Sequence, residues 1–422
     1  AELNAGAALT WVVTAYLLAA TAALPIYGKL SDLFGRVRML NIGIGLFLAG
    51  SVACALAQDL PTLLAARVLQ GLGGGGLIAL AFTVIADCIP PREVGKYQGY
   101  ISAVYAVSSI AGPLLGGYFT EQLSWRWIFW INLPLGALAL WLVNRNLGHL
   151  NVRRHSRFDW KGAGLLITVT TLSLLLLSPE TTLSAIWLAA GLALALLLLI
   201  LVERRAQDPI LPAHLARLPG YLVSVLLALA SQLLMFAVLV YLPLQMQWQK
   251  GMGASESGLY MVIFMVCITA GAFVGGKLIG RTGYYKRFVV VGFALAALAL
   301  WQIHFDLFAN LGLGFAGLGL GLVLPALSVV VQNALPREDR GIGMSLFNFG
   351  RELGGAVGVA ICAVLFHGAL PAGTSHNLAS LSPAELAPGF SATYVGMALI
   401  ASAALLITLL ALKRHELASM PA

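Results

Sequence analysis

Gly28-Lys-Leu-Ser-Asp-Leu-Phe-Gly-Arg-Val-Arg-Met-Leu40 is a short polar stretch set between two long apolar runs. A stretch of this kind is a tight connection between two membrane helices. It carries Lys29, Arg36 and Arg38, and basic connections mark the cytoplasmic face of a membrane protein. Asp32 is the one acid among them. Gly28 and Gly35 give the backbone room for close approach and a sharp turn.

The apolar runs on either side are two of many. The chain is 59% hydrophobic and 10% charged, whereas a soluble domain carries about 25% charge. Thirteen apolar segments follow one another, at roughly 9–28, 39–58, 62–88, 97–119, 126–144, 162–178, 184–202, 220–243, 256–279, 288–305, 309–334, 341–367 and 390–412. Most approach or exceed the ~20 residues that span a bilayer. Inside lipid their backbone polarity must be satisfied within the segment, so they are predicted to be helices. A transmembrane barrel would show short alternating strands, and the sequence has none. The expected class is an all-α membrane protein.

The loops alternate in character. Nearly all Lys and Arg fall in one alternating set; the other set holds only Arg126 and Lys250, and Arg67 and Arg351 lie inside segments. The basic set is therefore read as cytoplasmic, with the C-terminus on the same side. The net charge of +8 is a topology signal and not a nucleic-acid footprint. Trp125, Trp127 and Trp130 are placed as interfacial anchors at the outer boundary. Cys54, Cys88, Cys267 and Cys362 are scattered without metal spacing or a readable disulfide framework. No cleavable signal pattern is seen.

The chain also repeats itself. Gly276-Lys-Leu-Ile-Gly-Arg-Thr-Gly283 echoes Gly28–Gly35, with Gly280 where Asp32 stood, and Pro336-Arg-Glu338 echoes Pro91-Arg-Glu93 at nearly the same separation. Two homologous halves are the pattern of many transporters. The second half holds six segments and the first holds five, with 162–178 and 184–202 between them. One helix is thus expected to be missing from the front.

Gly28–Arg38 resembles the signature loop of the major facilitator superfamily, G-x-L-x-D-x-x-G-R-x-R. The segment count makes the whole chain similar to the fourteen-helix drug:proton antiporter branch of that superfamily, in an N-terminally incomplete form. The resemblance implies a major facilitator fold: two six-helix bundles plus two inserted central helices, with the first helix absent. The expected division is 1–145 for the N-terminal bundle, 146–219 for the inserted helices with their cytoplasmic linkers, and 220–422 for the C-terminal bundle. In this family the loop Gly28, Asp32, Gly35, Arg36 and Arg38 governs gating at the cytoplasmic side.

Three further stretches match family motifs. Arg67, Gln70 and Gly71 resemble R-x-x-q-G, linked in the family to proton transfer. A charge near the bilayer centre costs roughly 2.5–3.5 kcal/mol on insertion scales, so Arg67 needs a cavity or a partner. It stands about one turn from the outer boundary, and snorkelling is the competing explanation. Gly112-Pro113-Leu-Leu-Gly116-Gly117 resembles the exporter motif G-P-x-x-G-G. Gly112 and Gly116 make a small-residue face and Pro113 permits a kink, which suits an interface between bundles, or simply tight packing. Gly71, Gly73 and Gly76 also satisfy G-x-G-x-x-G, but no strand precedes them; close helix packing explains them better.

Glu352 lies eleven residues beyond Gly341, roughly 16 Å along a helix and so near the middle of a ~30 Å core. Arg351 is adjacent, but successive helical residues do not face one another. Each is therefore expected to find water or a partner on another helix. The helix resembles the branch's R-x-l-G-G-type segment, where the position after the Arg is commonly Gln; Glu352 departs from it. Proton coupling by Glu352, aided by Arg351 or Arg67, is the expectation; a structural ion pair or a contact with a cationic substrate is the alternative. Asp87 is a boundary residue that could pair with the loop of Asp32.

Tyr16, Gln70, Tyr105, Gln232 and Phe236 are candidates to line an amphiphilic substrate cavity, as are Met235 and Phe264. No phosphate loop, metal motif or nucleophile–base pair is found, so neither metal nor other cofactor is implied and an enzyme is disfavoured. The functional reading is proton-coupled efflux of hydrophobic or cationic drugs and biocides by alternating access in a bacterial inner membrane, driven by the proton gradient. Its expected partners are a small amphiphilic substrate, protons and lipid. Export of lipids or another endogenous amphiphile is the main rival. A uniporter or uptake symporter is disfavoured by the exporter motif.

Overall fold

The computed structural model describes residues 9–89, 97, 100, 101, 104, 107, 108, 111, 112, 115, 116, 118, 119, 122–147, 158–177, 184–206, 208–218, 220–305, 309–336, 339–370 and 382–412. Among them every extended element is helical. The helices are α1 (Leu9–Phe34), α2 (Arg36–Leu56), α3 (Leu60–Cys88), the short α4 (Trp127–Trp130), α5 (Asn132–Asn146), α6 (Trp160–Leu177), α7 (Ala185–Glu203), α8 (Tyr221–Trp248), α9 (Ala254–Thr282), α10 (Tyr285–His304), α11 (Ala309–Ala334), α12 (Arg340–Gly368) and α13 (Pro383–Ala411). Eleven spans are long and apolar enough to cross a membrane, α4 and α5 together making one of them. The chain is an all-α integral membrane protein. The segment predicted at 97–119 lies only in part within the described residues, and Tyr105, Pro113 and Gly117 lie outside them.

Helix ends follow local chemistry. α1 and α2 are separated by Gly35 alone, whose φ of 95° suits glycine and few other residues. The signature stretch is thus tighter than a loop: Asp32 and Arg36 both sit on helical turns flanking a one-residue break. Asp59 caps α3, its Oδ1 accepting from the Thr62 amide at 2.8 Å. Those Thr62 hydrogen bonds, main-chain first and side-chain second, hold the Asp59 carboxyl below its ordinary range. α13 opens with a capping box between Ser382 and Glu385. Its last turn is closed by Lys286, whose Nζ donates to the Leu409 and Leu412 carbonyls at 2.9 and 2.5 Å, a cation where the helix dipole favours one.

The described chain forms two compact units. The first draws on residues 1–88, 111–216 and 336–349, and the second on 89–110, 217–335 and 350–422. The α6–α7 hairpin is grouped with the first unit, and α12 contributes its opening residues to the first unit and the remainder to the second.

Glycine decides the packing in both units, because lipid supplies no hydrophobic force between helices and backbones must come close to gain contact. In the first unit α3 runs against α1 and α2. Gly71 and Gly75 lie on the main chain of Tyr16 and Ala20 in α1, while Gly73 lies on Phe47 in α2. In the second unit Gly350, Gly354 and Gly358, one turn apart on α12, seat against Val225, Leu229 and Leu233, also one turn apart on α8. Gly317 and Gly321 of α11 do the same against α9, where Phe264 is fully buried. The glycines of the false nucleotide motif are therefore packing residues.

The exporter-motif glycines stand in a stretch that is described only in part. Among the described residues no heavy atom lies within 4 Å of a Cβ built on Gly112 or Gly116. A contrast follows. A methyl at Gly75 would press on the Ala20 main chain, and overpacking of this kind costs about 1–3 kcal/mol. Gly164 of α6 has open space. Thermal unfolding of detergent-purified protein is expected to show a fall of several degrees for Gly75→Ala and no fall for Gly164→Ala.

Candidate functional site

Three polar clusters interrupt the apolar helices. The first is built by the signature stretch. Arg36 Nη1 lies 2.5 Å from Asp32 Oδ1, one turn back across Gly35, and its Nε donates to Asp87 Oδ2 at 2.9 Å from the end of α3. Nη1 also reaches Ser31 Oγ at 2.5 Å, and Ser31 donates to the Gly28 carbonyl at 2.8 Å. One guanidinium thus joins two carboxylates and a hydroxyl, the forked geometry for which Arg is suited. Asp32 and Arg36 are each only 11% exposed, Asp87 24%.

The opening turn of α12 stands against this corner. A Cβ on Gly341 would collide with Asp32 Oδ1 and the Arg36 guanidinium, and one on Gly28 would collide with Ser345. Asp32 therefore rests on the N-terminal turn of α12, where the helix dipole favours an anion. Of the two arginines that follow Asp32 in the signature stretch, Arg36 makes the pair; Arg38 is exposed and lies over the Phe34 ring, 6.0 Å from its centroid. Gly341 and Ser345 carried no sequence signal as members of this corner.

The second cluster surrounds Arg67 on α3. Its Nε donates to the Val12 carbonyl at 2.9 Å and its Nη1 to Gln70 Oε1 at 2.5 Å. Its guanidinium lies 4.4 Å from the Tyr16 ring centroid and 6.0 Å from that of Phe129, a cation–π setting. Gln70 Nε2 donates in turn to Ser51 Oγ at 2.8 Å, which also accepts from Asn132 at 3.2 Å and donates to the Phe47 carbonyl at 2.8 Å. The network ties α1, α2, α3 and α5 together. Among the described residues no carboxylate pairs with Arg67; carbonyls and aromatic faces stabilise it.

Two of the cavity candidates make close contacts inside this network. Gln70 is 2% exposed, and its amide is committed to Arg67 and Ser51. Tyr16 lies against Arg67 and against Gly71 and Gly74 of α3. Gln70 is buried in the network and Tyr16 packs α1 on α3, while Ser51 and Asn132, which complete the network, were not singled out by the sequence. Of the second-unit candidates, Gln232 is buried in α8 and Phe236 packs on Gly355 of α12.

The third cluster is Arg351 and Glu352 on α12. Arg351 Nη2 lies 2.8 Å from Glu352 Oε1, against the expectation that neighbours on a helix do not pair. The Arg side chain is long enough to turn its fork sideways along the helix surface, which the direction of the Cα–Cβ bond does not forbid. The pair is lopsided: Arg351 is 6% exposed and Glu352 25%. Arg351 is thus the buried partner, and Glu352 the member that meets the surroundings. Among the described residues no group of three or more His, Cys, Asp or Glu converges on a metal-sized site.

Comparison with known proteins agrees with this geometry. Residues 1–359 match the family model described as Major Facilitator Superfamily. The chain is 35% identical over 379 residues to an uncharacterized MFS-type transporter of Mycobacterium tuberculosis, covering 87% of this chain and 55% of that protein. It is 33% identical over 378 residues to the multidrug transporter protein MdtP of Bacillus subtilis, covering 87% of this chain and 70% of that one. The chain therefore spans little more than half the length of the mycobacterial relative. Among solved structures, the human organic anion transporter MFSD10 superposes with a TM-score of 0.65 at 16% identity, over 93% of this chain and 83% of that one. The proton:xylose symporter XylE superposes with a TM-score of 0.63 at 15% identity, over 94% and 85%. With its glycine-hinged Asp32–Arg36 corner, its apolar helices and a family match over most of its length, this chain belongs to the major facilitator superfamily.

Proposed function

We propose that the protein exports hydrophobic or cationic drugs and biocides across a bacterial inner membrane in exchange for protons, by alternating access. The observation that carries the reading is the layout of α12. Its first turn is held by the Asp32–Arg36–Asp87 corner, and eleven residues beyond Gly341 it bears a carboxylate, Glu352, paired to a buried Arg351. A helix that carries both an ionic catch and a mid-depth acid is placed to couple protonation to movement. The multidrug relatives support the substrate class, and the basic ends of the helices support a cytoplasmic placement of the corner and of the C-terminus.

No cofactor enters the reading; the proton gradient and membrane potential supply the energy, about 2.3 kcal/mol per charge per 100 mV. The test is dye accumulation in proteoliposomes under an imposed pH gradient, using several cationic dyes. Uphill dye movement that a protonophore abolishes is expected. Movement indifferent to the gradient would remove proton coupling. A thermal shift with lipid extract and none with drug cations would favour the rival lipid exporter.

A further inference from the structure

The described part of the connection that leaves α7 is pinned at several points. Glu203, the last residue of α7, accepts from the Ile210 amide at 3.3 Å and the Leu211 amide at 3.0 Å, which holds Ile210 and Leu211 against the end of the helix. Ile210 and Leu215 are 0% and 1% exposed. The same carboxylate, with that of Asp159, crowds Gly162 in the first turn of α6, so both arms of the α6–α7 hairpin meet where the connection begins. A tether between two helices needs none of this burial.

The far part of the connection reaches α12. His214 Nε2 lies 2.9 Å from Asp339 Oδ2. A carboxylate only accepts, so Nε2 carries the hydrogen. Asp339 is the residue just before α12, and its carbonyl accepts from the Gly343 amide at 2.8 Å. Two residues further, Gly341 rests on Asp32 and Arg36. Because Ile210 and Leu215 already fix the connection on either side of His214, the pair orders less free chain than an isolated surface ion pair does.

We propose that the α7–α8 connection is a latch on the first turn of α12, fastened by His214 and Asp339 beside the Asp32 corner, and that its release accompanies movement of that turn. This gives the inserted hairpin a role in gating. The latch concerns the mobility of α12 and goes beyond the efflux reading, whatever the substrate is.

Amide hydrogen exchange of the full chain in detergent tests it without any substrate, so failure of the latch and failure of the efflux reading are distinguishable. Residues 340–346 are expected to exchange about two- to five-fold faster in His214→Ala and in Asp339→Ala, the range of a surface ion pair. The double variant is expected to be no faster than either single one, and His214→Lys, which keeps a donor, to stay at the native rate. Unchanged exchange in the single variants, or an additive double variant, would overturn the latch. If exchange rises throughout α6 and α7 as well, a second measurement decides. His214→Cys with Asp339→Cys, in a Cys88→Ser background that removes an exposed thiol, is joined by a short bifunctional thiol cross-linker. Slower exchange at 340–346 upholds the latch, and an unchanged rate refutes it.

Discussion

Glu352→Gln is expected to abolish uphill transport while leaving a folded protein that still binds substrate. At 100 mV one coupled charge is worth about 2.3 kcal/mol, roughly a fifty-fold concentration ratio at 1.4 kcal/mol per tenfold. With Gln in place the sustained dye ratio in vesicles is expected to fall to about one, and binding to lose its pH dependence. The observed pairing with Arg351 makes the experiment sharper. Were Glu352 only a structural counter-ion, its loss would take the ionic partner from a guanidinium that is 6% exposed, and losing a hydrogen bond to a charged group costs about 1.5–3 kcal/mol. Thermal unfolding separates the two roles. A near-native transition with lost accumulation marks coupling, and a collapsed transition marks a structural pair. Accumulation that persists with an unaltered pH response removes the assignment.

Asp32→Asn carries the second large effect. Asp32 is one of two carboxylates on Arg36 and the one that touches α12. Hydrogen bonds to charged groups are worth about 1.5–3 kcal/mol, so neutralising it shifts the balance between held and released forms of that turn by roughly ten- to a hundred-fold. The variant is expected to insert normally and to export at less than a tenth of the native rate. Asp87→Asn, at the more exposed carboxylate, is expected to have a smaller effect. Native efflux by well-folded Asp32→Asn protein would show that the corner does not hold α12 during transport.

The bilayer made much of this protein legible without a structure. A run of about 20 apolar residues must be a helix whatever its neighbours are, because lipid offers its backbone no other partner. Eleven of the apolar runs therefore read directly as spans among the described residues. The turn at Gly35 was equally local, a glycine between an acid and a base with φ of 95°. Arg67, Gln70, Arg351 and Glu352 stood out because polar groups in apolar segments are costly.

Partners were another matter. Gly341 and Ser345 lie some three hundred residues from the corner they complete, and no spacing along the chain announces them. Ser51 and Asn132 draw the Gln70 amide into a hydrogen-bond network across three helices. Arg351 met Glu352 because a flexible side chain, and not helix geometry alone, chose the contact. A helix that is apolar all round gives no face preference from its pattern, and a glycine signals close approach without saying to which neighbour. The sequence by itself determined the helices, their breaks and the costly polar positions. Tertiary packing alone decided which of those positions share a hydrogen bond, since only the register of one helix against another brings their side chains within reach.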